Sequence, residues 1–572
     1  MLIRVTLITT ATPSRSGSRS SSSLTVLFIT CSLIYVAILF AIAYFFEHRK
    51  TSARANTWVY SLSLAVYCTS WAFFGTIQQA AVTGWFFAPT YVGTILLLIF
   101  GWRFLRKLVS VSKANNITSI ADFIASRYGK SQRLSGTITF IALIALIPYI
   151  ALQLKALTTS YILMTSGTIG QITQSPSIMS DSAFYITLLM ALFSIIFGTR
   201  RVDATEHQTG IIYAIAFESV IKLLAFLLMG IYICYYFFDG MIDVANKAQN
   251  IAAINTLWQQ NYSPLLFWTH ALLGFLAIVC LPRQFHVLVV ENKRVNDVKS
   301  ARWIFSGYLL LINLFILPIA LAGLVYFNGM NVSPEMFILG FPLSDNSALF
   351  SLVAYIGGFS AATSMIIIVS IVLSTMVSND IIIPLSVHYQ WLRKERTKNV
   401  QQWLINIRRL VILCILLLAF VYYRTIATTS ELASIGLLSF SLVAQFAPAI
   451  FGGLYWKKAN KKGVIAGLIF GISIWLYTLL IPALVSAGYI NSSVLYDGLF
   501  SVSWLKPQEL FGQSSFDTMT VGVFWSLLLN TLAYVYVSRL THASTLENLQ
   551  AARFVSPKDL SYREEKIRVN DK

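Results

Sequence analysis

The sequence predicts an all-α membrane protein of about thirteen transmembrane helices, and three observations carry that reading. First, mean hydropathy is +0.70. Second, 56% of the 572 residues are hydrophobic and 11% are charged, a composition that excludes a soluble multidomain protein. Third, thirteen apolar segments are long enough to cross a hydrocarbon core of about 30 Å, which takes about 20 helical residues. They lie near 24–46, 57–77, 84–102, 134–164, 183–199, 209–238, 265–290, 301–327, 348–386, 408–425, 430–456, 463–487 and 517–538. None alternates polar and apolar residues as the strands of a membrane β-barrel do.

The charge pattern agrees with that count. A net charge of +19 would suit a nucleic-acid partner if the basic residues were gathered on one face, but they are spread over alternate loops. Arg49, Lys50 and Arg54 follow the first span, and Arg103, Arg106, Lys107, Lys113, Arg127, Lys130 and Arg133 follow the third. Arg200 and Arg201 follow the fifth, and Lys293, Arg294, Lys299 and Arg302 the seventh. Arg393, Lys394, Arg396, Lys398, Arg408 and Arg409 follow the ninth, and Lys457, Lys458, Lys461 and Lys462 the eleventh. The intervening loops hold Lys247, Arg424 and Lys506. By the positive-inside rule the N-terminus is outside and the C-terminus cytoplasmic. Three regions follow: a polar, serine-rich segment 1–23 expected to be disordered, a transmembrane domain 24–541, and a short cytoplasmic tail 542–572.

Some chemistry is absent from the sequence. The five cysteines fall inside spans without CxxC spacing, and the six histidines show no metal-ligand spacing. There is no P-loop, HExxH or GxSxG motif, so neither enzymatic activity nor a cofactor is expected. In the loop after the third span, Ser119 or Thr118 is placed to cap a short helix with Ile120, Phe123 and Ile124 on one face, an amphipathic helix at the membrane surface.

Two spans carry helix breakers at mid-membrane depth, where irregular backbone is tolerated only if it is buried in protein or lines a wet cavity. The second contains YCTSWAFFG, Tyr67 to Gly75, and the seventh CLPRQFH, Cys280 to His286. Two broken helices five spans apart are the pattern of a 5+5 inverted repeat, spans two to six and seven to eleven, with the binding site at the breaks.

Polar side chains inside the spans supply the candidate site. Ser360, Thr363 and Ser364 lie three and four apart on the ninth span, so Ser360 shares a helix face with the other two. Such a hydroxyl patch is a place to strip water from a small cation, although small residues also let membrane helices approach closely. Arg283 and Gln284 sit at the seventh-span break, where a cationic fork and unwound backbone suit a solute carboxylate. The alternative is an interfacial arginine near Glu291, Lys293 and Arg294. Ser70, Trp71, Gln78 and Gln445 complete the candidate solute site. Glu218 and Lys222, four apart in the sixth span, have the favourable orientation for a structural ion pair.

Five stretches carry a family resemblance: TSW at 69–71, LPRQFH at 281–286, SAATS at 360–364 with STMVSND at 374–380, and QFAPAIFGGLYWKK at 445–458. Through them the chain resembles the sodium:solute symporter family from Leu24 to Val555, which implies a LeuT-like 5+5 fold in a bacterial inner membrane. SWAFFG, SAATS and the terminal LQAARFV at 549–555 are more narrowly similar to the symporter-like membrane portion of bacterial sensor histidine kinases. The resemblance implies a Na+ site between the second and ninth spans. Aligned on Trp71 and Asp380, it takes the carbonyls of Ala65, Cys68 and Ala361 and the hydroxyl of Ser364. The fifth ligand position falls on Met365, a soft thioether where a hard cation prefers oxygen. Tyr67 stands where some relatives have a sodium-coupling acid. Coupling to Na+, coupling to H+ and no coupling therefore all stay open.

The expected function is import of a small polar solute, such as an amino acid, by alternating access with Na+ or H+ coupling. The alternative is a solute-sensing module that works with a histidine kinase on another chain.

Overall fold

Within a bilayer a long apolar chain can satisfy its backbone amides only with other backbone groups, and every described regular element of this chain is helical. The computed structural model describes residues 17–167, 169, 176–199, 207–389, 400–427 and 432–557. In chain order the first elements are α1 (Gly17–Glu47), α2 (Ala53–Ser63), α3 (Thr76–Thr83), α4 (Ala88–Phe100), α5 (Trp102–Ala114), α6 (Ile120–Arg127) and α7 (Gln132–Ser166). Next come α8 (Ser182–Gly198), α9 (Thr209–Tyr236), α10 (Met241–Gln249), α11 (Ala252–Gln259), α12 (Pro264–Cys280) and α13 (Pro282–Phe285). The middle of the chain forms α14 (Asp297–Asn313), α15 (Ile316–Tyr326), α16 (Phe337–Ser344), α17 (Ala348–Val377) and α18 (Ile383–His388). The last third forms α19 (Val400–Thr425), α20 (Leu432–Val443), α21 (Ala447–Tyr455), α22 (Lys461–Trp475) and α23 (Ile481–Ser486). A short α24 (Ser493–Asp497), α25 (Thr518–Leu540) and α26 (Thr545–Val555) complete it.

Among the described residues, ten helices are long and apolar enough to cross a membrane, or eleven if α11 and α12, bent by 83°, form one span. The sequence predicts thirteen, and the difference lies where helices are short or broken. Helix α8 has 17 residues. The second span is divided between α2 and the stretch from Trp71, which continues through the third span as a 30-residue apolar run to Phe100. That run is not one straight helix, because Gly84 at φ +72 and ψ −119 ends α3. A backbone of that hand is open to glycine and strained for other residues.

Helices α4 and α12 cross at two glycines. A Cβ on Gly93 would collide with the Ala271 carbonyl, and one on Gly274 with the Thr90 carbonyl. Small residues at such a crossing let membrane backbones touch. The contact fixes α12, and with it the break that follows.

Two surface expectations change. Helix α1 begins at Gly17, inside the 1–23 segment expected to be disordered. Helix α6 is capped by Ser119, which accepts the Asp122 amide, as the sequence suggests. Its apolar face is covered by protein: Ile120, Phe123 and Ile124 are fully buried, and Arg127 donates to the carbonyls of Gly453 and Trp456. The tail also docks. Phe554 of α26 packs edge-on against Phe123 at 5.3 Å, and Phe123 packs against Phe285 of α13 at 5.8 Å. Arg200, Arg201, Arg393, Lys394, Arg396, Lys398, residues 1–16 and residues 558–572 lie outside the described residues.

Replacing Gly93 or Gly274 by Val should cost about 1–3 kcal/mol of stability through overpacking. Melting of the purified protein in detergent measures it, and an unchanged melting temperature would remove the crossing from this account.

Candidate functional site

Each break has a local cause. At the seventh span, Pro282 lacks an amide hydrogen and disfavours helical geometry at the residue before it. Leu281 accordingly adopts φ −68 and ψ 125, separating α12 from α13. At the second span a 3₁₀ turn, Leu64–Tyr67, runs into Cys68 at φ −81 and ψ 96, and a π-helical turn, Trp71–Gly75, resumes the helix. Both breaks are wholly buried.

Side chains meet the backbone groups freed there. Gln153 of α7 accepts the Ser70 amide at 3.1 Å and the Ser70 hydroxyl at 2.6 Å. Thr69 Oγ1 accepts the Trp71 amide at 3.2 Å and is hydrogen-bonded to the Tyr149 hydroxyl at 2.9 Å. Gln284 Nε2 donates to the Leu64 carbonyl at 3.0 Å, which joins the two breaks directly. Lys222 Nζ donates to the carbonyls of Ala65 at 2.6 Å and Cys68 at 2.7 Å.

The last contact corrects the sixth-span reading. Lys222 does not give its ammonium to Glu218; it caps the broken second helix. Glu218 Oε1 instead accepts the Thr363 hydroxyl at 3.0 Å, and the Glu218 carbonyl accepts the Ser360 hydroxyl at 2.9 Å. Two of the three hydroxyls of the ninth span are thus directed at α9. Ser364 Oγ donates to Ala361 O at 3.4 Å, and Met365 beside them is buried.

Arg283 stands apart from these satisfied groups. It is 0% exposed, and Nε, Nη1 and Nη2 have no hydrogen-bond partner. Its guanidinium lies over the Tyr149 ring, 4.8 Å from the centroid, a cation–π contact that orients the plane and uses none of its donors. Around it Phe440 lies 5.9 Å from Tyr149, 6.1 Å from Tyr67 and 5.7 Å from Trp71, and Trp71 stacks on Tyr91 at 5.6 Å. Trp71 Nε1 is buried and also unpartnered. An aromatic box with one free cationic fork is suited to a small solute with a planar anionic group.

The remaining candidates divide. Gln78 and Gln284 each keep a buried, unpartnered Oε1. The Gln445 amide is taken up by Ser441, Ser526 and Asn530 in the packing of α20 and α25, so it braces the scaffold. Tyr67, in place of the relatives' acid, is hydrogen-bonded to Thr94 at 2.9 Å. Sequence reasoning missed Gln153 and Tyr149 as parts of the site. Their signal was the YIALQ run after Pro148, a polar residue one turn from an aromatic one inside a span.

Beyond the seventh span, Glu291 is buried between His286 Nε2 at 3.1 Å and His207 Nδ1 at 3.8 Å, and accepts the Gln208 amide at 3.0 Å. Burial raises its carboxyl, but the two histidines outweigh burial and hold it at about 2, below the ordinary 4.5.

With this geometry established, comparison with known proteins gives a consistent picture. No family model matches the chain. The uncharacterized symporter YodF of Bacillus subtilis (strain 168) is 23% identical over 426 residues, spanning 71% of this chain and 76% of that protein. The uncharacterized symporter YhjB of the same organism is 23% identical over 383 residues, spanning 66% and 71%. Among solved structures, the substrate-bound outward-open state of a Na+-coupled sialic acid symporter matches 91% of this chain and 99% of its own at a TM-score of 0.62 and 15% identity. The chain has a LeuT-like transporter fold. The relatives are named as symporters, not enzymes.

Gln153→Leu should destabilise the protein by about 1–3 kcal/mol, because the Ser70 amide is left buried without an acceptor; denaturant-induced unfolding in detergent reads it, and no change would show that another group covers Ser70. Glu291, with its folded value depressed, should contribute stability that is whole above about pH 4.5 and lost as pH falls toward about 2. Melting followed against pH should show that acid limb in the wild type and not in Glu291→Gln; a limb unaltered by the substitution assigns it elsewhere.

Proposed function

We propose that the protein is a secondary active symporter that brings a small polar solute bearing a carboxylate, such as an amino acid, across a bacterial inner membrane. In this reading the N-terminus is outside, the C-terminus is cytoplasmic, and the driving cation, Na+ or H+, acts between the second and ninth spans. The chain is read as a sodium:solute symporter relative on its TSW, LPRQFH and SAATS segments.

The observation that carries the reading is the bare guanidinium of Arg283 at the seventh-span break. An ionised group without partners inside a protein costs several kcal/mol, and a carboxylate that met it with two parallel hydrogen bonds would offset that cost. The relatives' naming as symporters supports the transport class, and the similar fold that carries sialic acid supports an acidic solute. Solute binding would close the bundle containing both broken spans around the aromatic box, and release would follow when the bundle rocks against its scaffold.

The experiment is uptake into proteoliposomes of radiolabelled histidine and other amino acids, with competition by their decarboxylated amines. Carboxylate-bearing solutes should enter or compete, and histamine should not compete with histidine. Arg283→Gln should weaken binding about tenfold or more, since a hydrogen bond to a charged group is worth about 1.5–3 kcal/mol. Equal competition by the amines, or wild-type affinity in Arg283→Gln, would rule out the carboxylate reading.

A further inference from the structure

We propose that the Lys222 ammonium is itself the resident cation of the site between the second and ninth spans, so that this site does not bind Na+. The proposal rests on the transport reading and deepens it. The carbonyls that the family resemblance assigns to sodium, Ala65 and Cys68, are the two acceptors of Lys222 Nζ, at 2.6 and 2.7 Å. The other assigned groups face each other, with the Ser364 hydroxyl on the Ala361 carbonyl. The fifth position is a buried thioether, Met365. A sodium ion held by the same two carbonyls would take the space of the ammonium and meet its charge at contact distance.

The groups around Lys222 define its setting. On its own helix it has Glu218, whose carboxylate accepts from Thr363. From the broken second span it faces the Cys68 thiol and from the seventh Arg283. Tyr149 lies beyond Arg283 on α7. Tyr308 of α14 donates to the Ser219 carbonyl, and Tyr35 of α1 donates to Ser360. Helix α17 contributes Ser360, Thr363, Ser364 and Met365, none of them charged.

Melting of the purified full-length protein, followed by tryptophan fluorescence in detergent, tests the proposal without any solute. Wild type should melt at the same temperature in sodium chloride and in choline chloride of equal ionic strength. The double variant Lys222→Ala, Met365→Ser, which empties the pocket and restores an oxygen ligand, should melt higher in sodium chloride. A sodium-specific rise in wild type overturns the proposal, as does a double variant indifferent to sodium. If the double variant does not fold, the wild-type salt comparison still decides. The uptake panel can fail while these results stand, and the reverse.

Discussion

A helix broken in the middle of a bilayer leaves amides and carbonyls where water is scarce, and each one left bare costs about 1–3 kcal/mol. The centre of this protein is organised around that constraint. The second span breaks at Cys68 and Thr69, and four side chains from three other helices or from the break itself reach in: Gln153, Lys222, Gln284 and Thr69. Each is fixed by the backbone group it serves, so each in turn positions its neighbours. Gln284 ties one break to the other, and Lys222 ties the sixth span to the second. Against this background Arg283 stands out as a buried guanidinium with no hydrogen-bond partner.

Much of the fold was legible because its signals are local. Apolar run length located the helices, and Pro282 located the seventh-span break through a steric rule acting on the residue before it. The count of continuous spans was less legible. Gly84 and the Cys68 break divide the second and third spans in ways that hydropathy averages over. The site was legible where a residue is costly wherever it points, as with Arg283. It was not legible where the partner is distant in sequence. Glu218 and Lys222 look like an ion pair at helical spacing, yet the lysine bonds to carbonyls more than 150 positions earlier. Glu218 serves hydroxyls more than 140 positions later. Ser360 and Thr363 read as a patch for a cation for the same reason: their spacing is visible and the acceptor across the interface is not.

The division of labour between the polar residues follows from what they touch. Gln445 and Asn530 satisfy one another within the scaffold helices, and the glycines opposite them, Gly467 and Gly471, leave them room. Such internally closed pairs hold two helices at one distance and have no donor left for a solute. Gln78 and Gln284 retain an unused acceptor at or near the breaks.

The three rings of Phe285, Phe123 and Phe554 carry a mechanical meaning for the tail. Phe285 is two residues from Arg283, and Phe554 is buried at the end of α26, whose Glu547 carboxylate also accepts the Lys461 amide. Any path from the aromatic box that runs between α6 and α13 has to part these rings, each pair of which contributes about 0.5–1.5 kcal/mol beyond its buried area. The work of opening that side therefore includes the work of loosening α26. By linkage, whatever grips that helix alters how readily that side opens, and whatever opens that side alters how firmly the helix is held.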